Sequence, residues 1–236
     1  LSCAEEGPLV MVPLGERGPA ALARTLEFWQ RWADRARYTG PHRELVQRSL
    51  LALKLLTYAP SGAIVAAGTT SLPERAGGDL NWDYRYTWLR DSSLTVSALL
   101  DLGYDEYASA FVGWLLHATR LSRPELRVLY DVYGRIPEKE QSLELEGWYG
   151  SKPVRVGNAA SHQRQLDGYG EVIDAVAQLA RRDGVRLDRE TQKLLVELGS
   201  TVCAQHRQPD AGIWEIRGTP QLFTHSRVLC WVALDR

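Results

Sequence analysis

From Asp91 to the end of the chain, apolar residues return every three or four positions through five stretches, roughly 91–102, 105–121, 166–182, 188–206 and 222–236. This spacing gathers apolar side chains on one face of an α-helix, and each such face needs another element to cover it. Two further stripes come earlier. Leu22, Leu26, Trp29 and Trp32 predict a helix over 19–37, with Pro19 suited to its first turn, and ELVQRSLLALKLLTY over 44–58 is apolar enough to be buried on most sides. Broad apolar faces joined by alternately short and long loops point to packed layers of helices, an all-α class, and not to a βαβ sheet.

The connections carry information of their own. Residues 1–18 show alternating apolar positions and then GERGP, the pattern of a terminal strand followed by a breaker-rich linker. GAIVAAGTTSLPERAGG, residues 62–78, is β-branched and glycine-rich and predicts a short strand and a loop. The segment 123–163, with YDVYGR and GWYGS, is too long for an idle connection, so short strands and binding groups are expected there.

Charge excludes some partners. With 28 Lys and Arg against 29 Asp and Glu, and no long run of one sign, the chain has no electrostatic footprint for nucleic acid or an anionic membrane. No apolar run approaches the ~20 residues of a bilayer span, and LSCAEEGPLVMVPL lacks the regions of a signal peptide. Cys3, Cys203 and Cys230 are too scattered for a disulfide framework and read as packing residues; such sparse thiols suit a reducing compartment, so a cytoplasmic location is expected. His42, His117, His162, His206 and His225 show no ligand spacing, and no Ser or Cys sits in a nucleophile elbow, so neither a metal nor acyl transfer is indicated. The chain opens on Leu1 and stops inside an apolar pattern, CWVALDR, and is read as a fragment.

One stretch stands apart from this ordinary composition. NWDYRYTWLRD, residues 81–91, holds four aromatic rings, two arginines and two aspartates in eleven positions. Rings beside fixed charges suit a ligand with flat, weakly apolar faces edged by hydroxyls, which is the description of a sugar. Arg90 and Asp91 fall where loop becomes helix, and two readings are open: a helix cap with a salt bridge, or a donor and acceptor for neighbouring hydroxyls of one sugar ring with Tyr84 and Trp88 on its faces. The ring density favours the second. In PDAGIWEIRG, 209–218, Glu215 sits in a turn beside Trp214; an indole against a carboxyl strips its hydration and raises its pKa, as a general acid requires. The plainer alternative is an exposed Glu215 paired with Arg217. QLDGYGEV, 165–172, puts Gln165, Asp167, Tyr169 and Glu171 at a helix start, where Asp167 is expected as a cap bordering the site.

Together with the closing HSRVLCWVALDR, these three motifs in this order resemble glycoside hydrolase family 15, the glucoamylases, glucodextranases and bacterial trehalases. The resemblance runs from about residue 40 to the end, while 1–40 resemble the last strand and helical linker after the N-terminal β-sandwich of bacterial members. It implies an (α/α)6 toroid, an inverting mechanism and α-linked glucose in a pocket, with 41–236 as part of the catalytic domain. Carried over by position, Glu215 matches the general acid, and Tyr84, Trp88, Arg90 and Asp91 match residues around the non-reducing glucose. Trp214 matches an adjacent ring, and Arg217 joins the substrate-binding set.

Six barrel helices are counted from residue 44, where the family has twelve, and the family's general base lies downstream. The expectation is therefore an N-terminal half that lacks its base and is inactive alone, acting in complete form on a maltooligosaccharide, trehalose or another α-glucoside without a cofactor. Glu171 is the first alternative for a base within the chain. The rival function is a non-catalytic glucan-binding or regulatory domain of the same fold. A helical scaffold with no ligand leaves the ring-and-charge cluster unexplained.

Overall fold

The computed structural model describes residue 15, residues 17–120 and residues 122–236. The terminal strand expected before Arg17 and Cys3 lie outside the described residues. Two compact units divide the chain, Leu1–Ala36 and Arg37–Arg236. The first carries helix α1 (Arg17–Asp34). Pro19 falls in its first turn, where a missing N–H breaks no helical bond. Further along, the rings of Phe28, Trp29 and Trp32 meet edge to face at 5.5 and 6.4 Å.

The second unit is mostly α-helical, with α2 (Arg43–Leu56), α3 (Leu89–Asp101), α4 (Asp105–Thr119), α5 (Asp167–Ala180), α6 (Arg189–Gln205) and α7 (Thr224–Asp235). Helices α3, α5 and α7 lie side by side, and α4 and α6 pack against them as a second layer. Successive helices thus alternate between layers, and each layer is built from every second helix. The core between the layers takes Val96 and Leu100 from α3, Phe111 and Leu115 from α4, Val172 and Val176 from α5, and Leu194 and Leu198 from α6.

Within the first layer, small residues let two backbones meet. Ser226, Cys230 and Ala233 form a buried seam on α7, and a Cβ on Gly170 of α5 would stand 2.2 Å from the Leu229 carbonyl oxygen. Gly170→Ala must therefore push the helices apart. Overpacking of this kind costs about 1–3 kcal/mol, so the denaturant midpoint should fall; an unchanged midpoint would show that the crossing yields freely.

The short strands expected before α3 and within 123–163 form four antiparallel two-stranded ladders. β1 (Thr57–Tyr58) pairs with β2 (Ala63–Ile64), β3 (Thr70–Pro73) with β4 (Asn81–Asp83), β5 (Thr87–Trp88) with β6 (Leu129–Tyr130), and β7 (Gln141–Leu143) with β8 (Val154–Val156). Side chains lock the second and fourth ladders together. Thr70 and Ser71 hydroxyls donate to the Arg155 carbonyl at 2.8 and 2.9 Å, and Gly157 N–H donates to the Asp83 carboxylate at 3.1 Å.

Three expectations need correction. Helix α2 buries Leu50 but leaves Leu45 and Leu55 exposed, so its apolar content overstates its burial. Asp167 is not a cap: the capping position is Leu166, whose N–H donates 2.8 Å to the carboxylate of Asp210, so a residue from a distant loop closes the start of α5. Cys230 packs in the core as expected, whereas Cys203 is exposed. Among the described residues no helix is long and apolar enough to cross a membrane.

Candidate active site

A pocket of about 590 Å³ opens beside the start of α3, a volume suited to a small ligand. Tyr84, Trp88, Arg90, Asp91, Trp214, Glu215 and Arg217 all lie on its wall, so residues from two distant segments meet there. Glu215 is held by a loop that is pinned at several points. Asp210 and Gln221 exchange backbone bonds of 2.9 Å at its base, and the buried Asp210 carboxylate accepts from Leu166 N–H and Ser226 Oγ, both at 2.8 Å. The starts of α5 and α7 thereby clamp one end of the loop. Nearer the tip, Arg90 Nη1 donates to the Ile213 carbonyl at 3.0 Å and Gln163 Nε2 to the Glu215 carbonyl at 3.1 Å. Glu215 itself has φ 54°, a left-handed conformation that costs a non-glycine residue on the order of 1 kcal/mol and that these contacts sustain.

The Glu215 carboxyl lies on the pocket wall among polar neighbours. Trp88 Nε1 donates to its Oε1 at 2.6 Å, and Arg90 Nη2 lies 3.6 Å from the same oxygen while pairing with Asp91 at 3.0 Å. Burial pushes the Glu215 pKa above the ordinary carboxylate value, and Asp91 pushes it the same way; the Arg90 charge and the Trp88 bond oppose but do not cancel this. The expected rise comes from burial and not from an indole, since the indole that touches the carboxyl bonds to it and favours the charged form. The ring bonded to Glu215 is the buried Trp88, whereas Trp214 is 82% exposed at the mouth. Trp88→Phe removes a bond that favours the charged carboxylate, so the Glu215 pKa should rise. If Glu215 is the acid, the alkaline limb of the activity profile should then move to higher pH; a limb that moves down would contradict this geometry.

The alternative pairing of Glu215 with Arg217 does not occur. Arg217 forks onto Glu140 at 2.7 and 3.1 Å and lies over the Trp82 ring at 4.2 Å, with Arg155 over the same ring at 4.6 Å. Trp82, with two guanidinium groups over its ring, is a wall residue that the sequence reading did not single out, as are Glu74 and Gln163. Its signal was present in the period-two spacing of rings at 82, 84, 86 and 88. The stretch 81–91 also divides: the buried Asp83 takes two side-chain bonds from Arg85, at 2.9 and 2.8 Å. Burial alone would raise the Asp83 pKa, but the Arg85 bonds hold it low, which marks a structural pair away from the pocket. Tyr84, tilted against Trp88 at 5.6 Å, keeps its proton through burial and the neighbouring Glu215, Glu74 and Asp91 carboxylates, so its hydroxyl can donate. From 123–163 the wall receives Asn158, Ala160 and Gln163, while the rings of Trp148 and Tyr149 meet edge to face in solvent.

With this geometry in hand, comparison with known families is decisive. The model of glycosyl hydrolases family 15 matches residues 40–236. The chain belongs to this family. It is 38% identical to a trehalase of Thermoplasma acidophilum over 215 residues, 91% of this chain and 36% of that protein. A trehalase of Mycobacterium tuberculosis is 42% identical over 218 residues (90% and 32%), and one of Mycolicibacterium smegmatis 41% identical over 226 residues (94% and 34%). The chain thus spans about a third of the length of the relatives it matches. No solved structure matches it.

The family 15 chain carries further acids along α5 that stay off the pocket wall. Asp167 is fully buried, neither carboxylate oxygen has a hydrogen-bond partner, and His225 Nδ1 stands 3.7 Å away. Burial raises its pKa. One turn on, burial and then the Asp167 charge push Glu171 up to about 7. Gln165 and Tyr169 are buried, the Gln165 side chain beside Glu215, where it favours the charged carboxylate, and the Tyr169 hydroxyl accepting from Leu126 N–H at 3.1 Å.

Proposed function

We propose that this chain supplies the glucose-binding wall and the general acid of an α-glucoside hydrolase, with α,α-trehalose as the substrate. The observation that carries the reading is the Glu215 carboxyl, which burial shifts toward holding its proton while Trp88, Arg90 and Asp91 surround it in a sugar-sized pocket. The trehalase names of the relatives favour trehalose over a maltooligosaccharide or other α-glucoside. Trp88 and Tyr84 offer faces to glucose, and Arg90 and Asp91 a donor and an acceptor to adjacent hydroxyls. Arg217 and the exposed Trp214 face the leaving sugar at the mouth. Glu215 protonates the glycosidic oxygen as the bond to the anomeric carbon breaks, and water adds from the opposite face with inversion. Protonation and water attack need neither a metal nor an organic cofactor.

Inversion also needs a second carboxylate ~6.5–9.5 Å from the acid. Of the other acids on the wall, Asp91 is tied to Arg90 and Glu74 is exposed at the rim, so we place the base outside these 236 residues. On this reading α2 and the alternating layers of α3–α7 are half of an (α/α)6 toroid. The test uses a version carrying a complete family 15 catalytic domain, fed trehalose and followed by proton NMR. Because both anomeric carbons of trehalose are α, inversion at one should release α- and β-glucose in equal amounts at early times. Release of α-glucose alone would mean retention, and no turnover of trehalose or maltose would favour a binding-only domain.

A further inference from the structure

A larger cavity, about 840 Å³, shares no lining residue with the sugar pocket. It is bounded by the C-terminal half of α4, the turn after it and the turn 132–136. Its wall carries His117, Arg120, Arg127 and Arg135 but no Asp or Glu. None of the ion pairs among the described residues uses Arg120, Arg127 or Arg135. Unpaired guanidinium groups gathered around one concavity, with no carboxylate among them, create a field that selects an anion.

Two buried donors strengthen the case. Trp114 is 3% exposed, yet its Nε1–H has no hydrogen-bond partner, and neither has the buried Nε of Arg127. Such groups cost stability unless a ligand or solvent satisfies them. The wall is also rigid. The Asp131 carboxylate accepts Tyr133 N–H and Arg135 N–H at 2.8 and 2.9 Å, which fixes the turn that presents Arg135. Gly134 at φ 81° presses that turn onto α4, where a Cβ would meet Ala118 Cα at 2.8 Å. A bare oxyanion would fill little of this space, and the ring of Tyr133, with the Arg135 guanidinium 5.6 Å from its centre, offers a flat face beside the charges.

We propose that this cavity binds a phosphorylated sugar, the phosphate held by Arg120, Arg127 and Arg135 and the sugar set against Tyr133 and Trp114. The site is independent of the hydrolytic reading, and either can fail without the other.

Calorimetric titration of the 236-residue chain with glucose 6-phosphate, inorganic phosphate and glucose as separate probes tests it. Glucose 6-phosphate should bind at least about tenfold more tightly than inorganic phosphate, and added salt should weaken it. Arg127→Met and Arg135→Ala should each lower that affinity on the order of tenfold or more, with unchanged circular dichroism; Arg135 is exposed, so its loss spares the fold. Asp91→Ala, in the other pocket, should leave it intact. Absence of binding, equal affinity for phosphate and glucose 6-phosphate, or binding lost in Asp91→Ala but kept in both arginine variants would each overturn the proposal.

Discussion

Glu215→Gln, made in a version with a complete family 15 catalytic domain, is expected to lower kcat on trehalose by about 10²–10⁴-fold, the usual worth of a general acid. The amide is nearly isosteric, and its oxygen can still accept the 2.6 Å bond from Trp88, so sugar affinity should survive. What it cannot do is give a proton to a departing sugar oxygen. A glucoside with an activated leaving group needs little protonation and should lose much less. The alkaline limb of the wild-type profile, where Glu215 surrenders its proton, should vanish with it. Equal losses on both substrates would mean that Glu215 positions the sugar without protonating it.

Arg90→Ala should also be damaging, though less so and for a different reason. One guanidinium holds the Ile213 carbonyl at 3.0 Å, pairs with the part-exposed Asp91 at 3.0 Å and stands 3.6 Å from Glu215, so its loss frees the acid loop and strands the Ile213 carbonyl. A stranded polar group costs about 1–3 kcal/mol, and kcat/KM should fall on the order of 10–100-fold by that alone. Arg90 is also the strongest influence lowering the Glu215 pKa, so the residual activity should persist to higher pH. Arg90→Lys should rescue poorly, because a single ammonium cannot reproduce the fork between a carbonyl and a carboxylate. Unchanged kinetics in a folded Arg90→Ala protein would reduce the residue to a surface ion pair.

Period and composition made the helices legible, since spacing of three and four is a local property of the chain. The seven helical stripes correspond to α1–α7 with ends shifted by only a few residues. Pairings were not legible, because they join residues far apart in sequence. Glu215 meets Trp88, 127 positions away, in preference to its neighbour Trp214. Arg217 likewise turns to Glu140. Asp167 looked like a cap because it precedes an apolar stripe, yet Asp210 reaches the Leu166 N–H from another loop and leaves Asp167 buried without a hydrogen bond. NWDYRYTWLRD gathers its rings and charges in one stretch, but in extended backbone alternate residues face opposite ways, so Trp82 and Tyr84 reach the pocket while Asp83 bonds inward. The exposure of Leu45 and Leu55 was hidden because apolar content names a face without naming what covers it.

The central claim is that the pocket keeps a proton on Glu215 under conditions where a solvated glutamate has lost it. Carbon-13 NMR of the 236-residue chain, labelled at glutamate side-chain carboxyls, measures this directly across a pH titration. The Glu215 resonance is the one absent from Glu215→Gln, which also separates it from Glu171, near 7. The account predicts a midpoint above the ordinary 4.5 for Glu215, rising further in Trp88→Phe. A midpoint at or below 4.5 would contradict it.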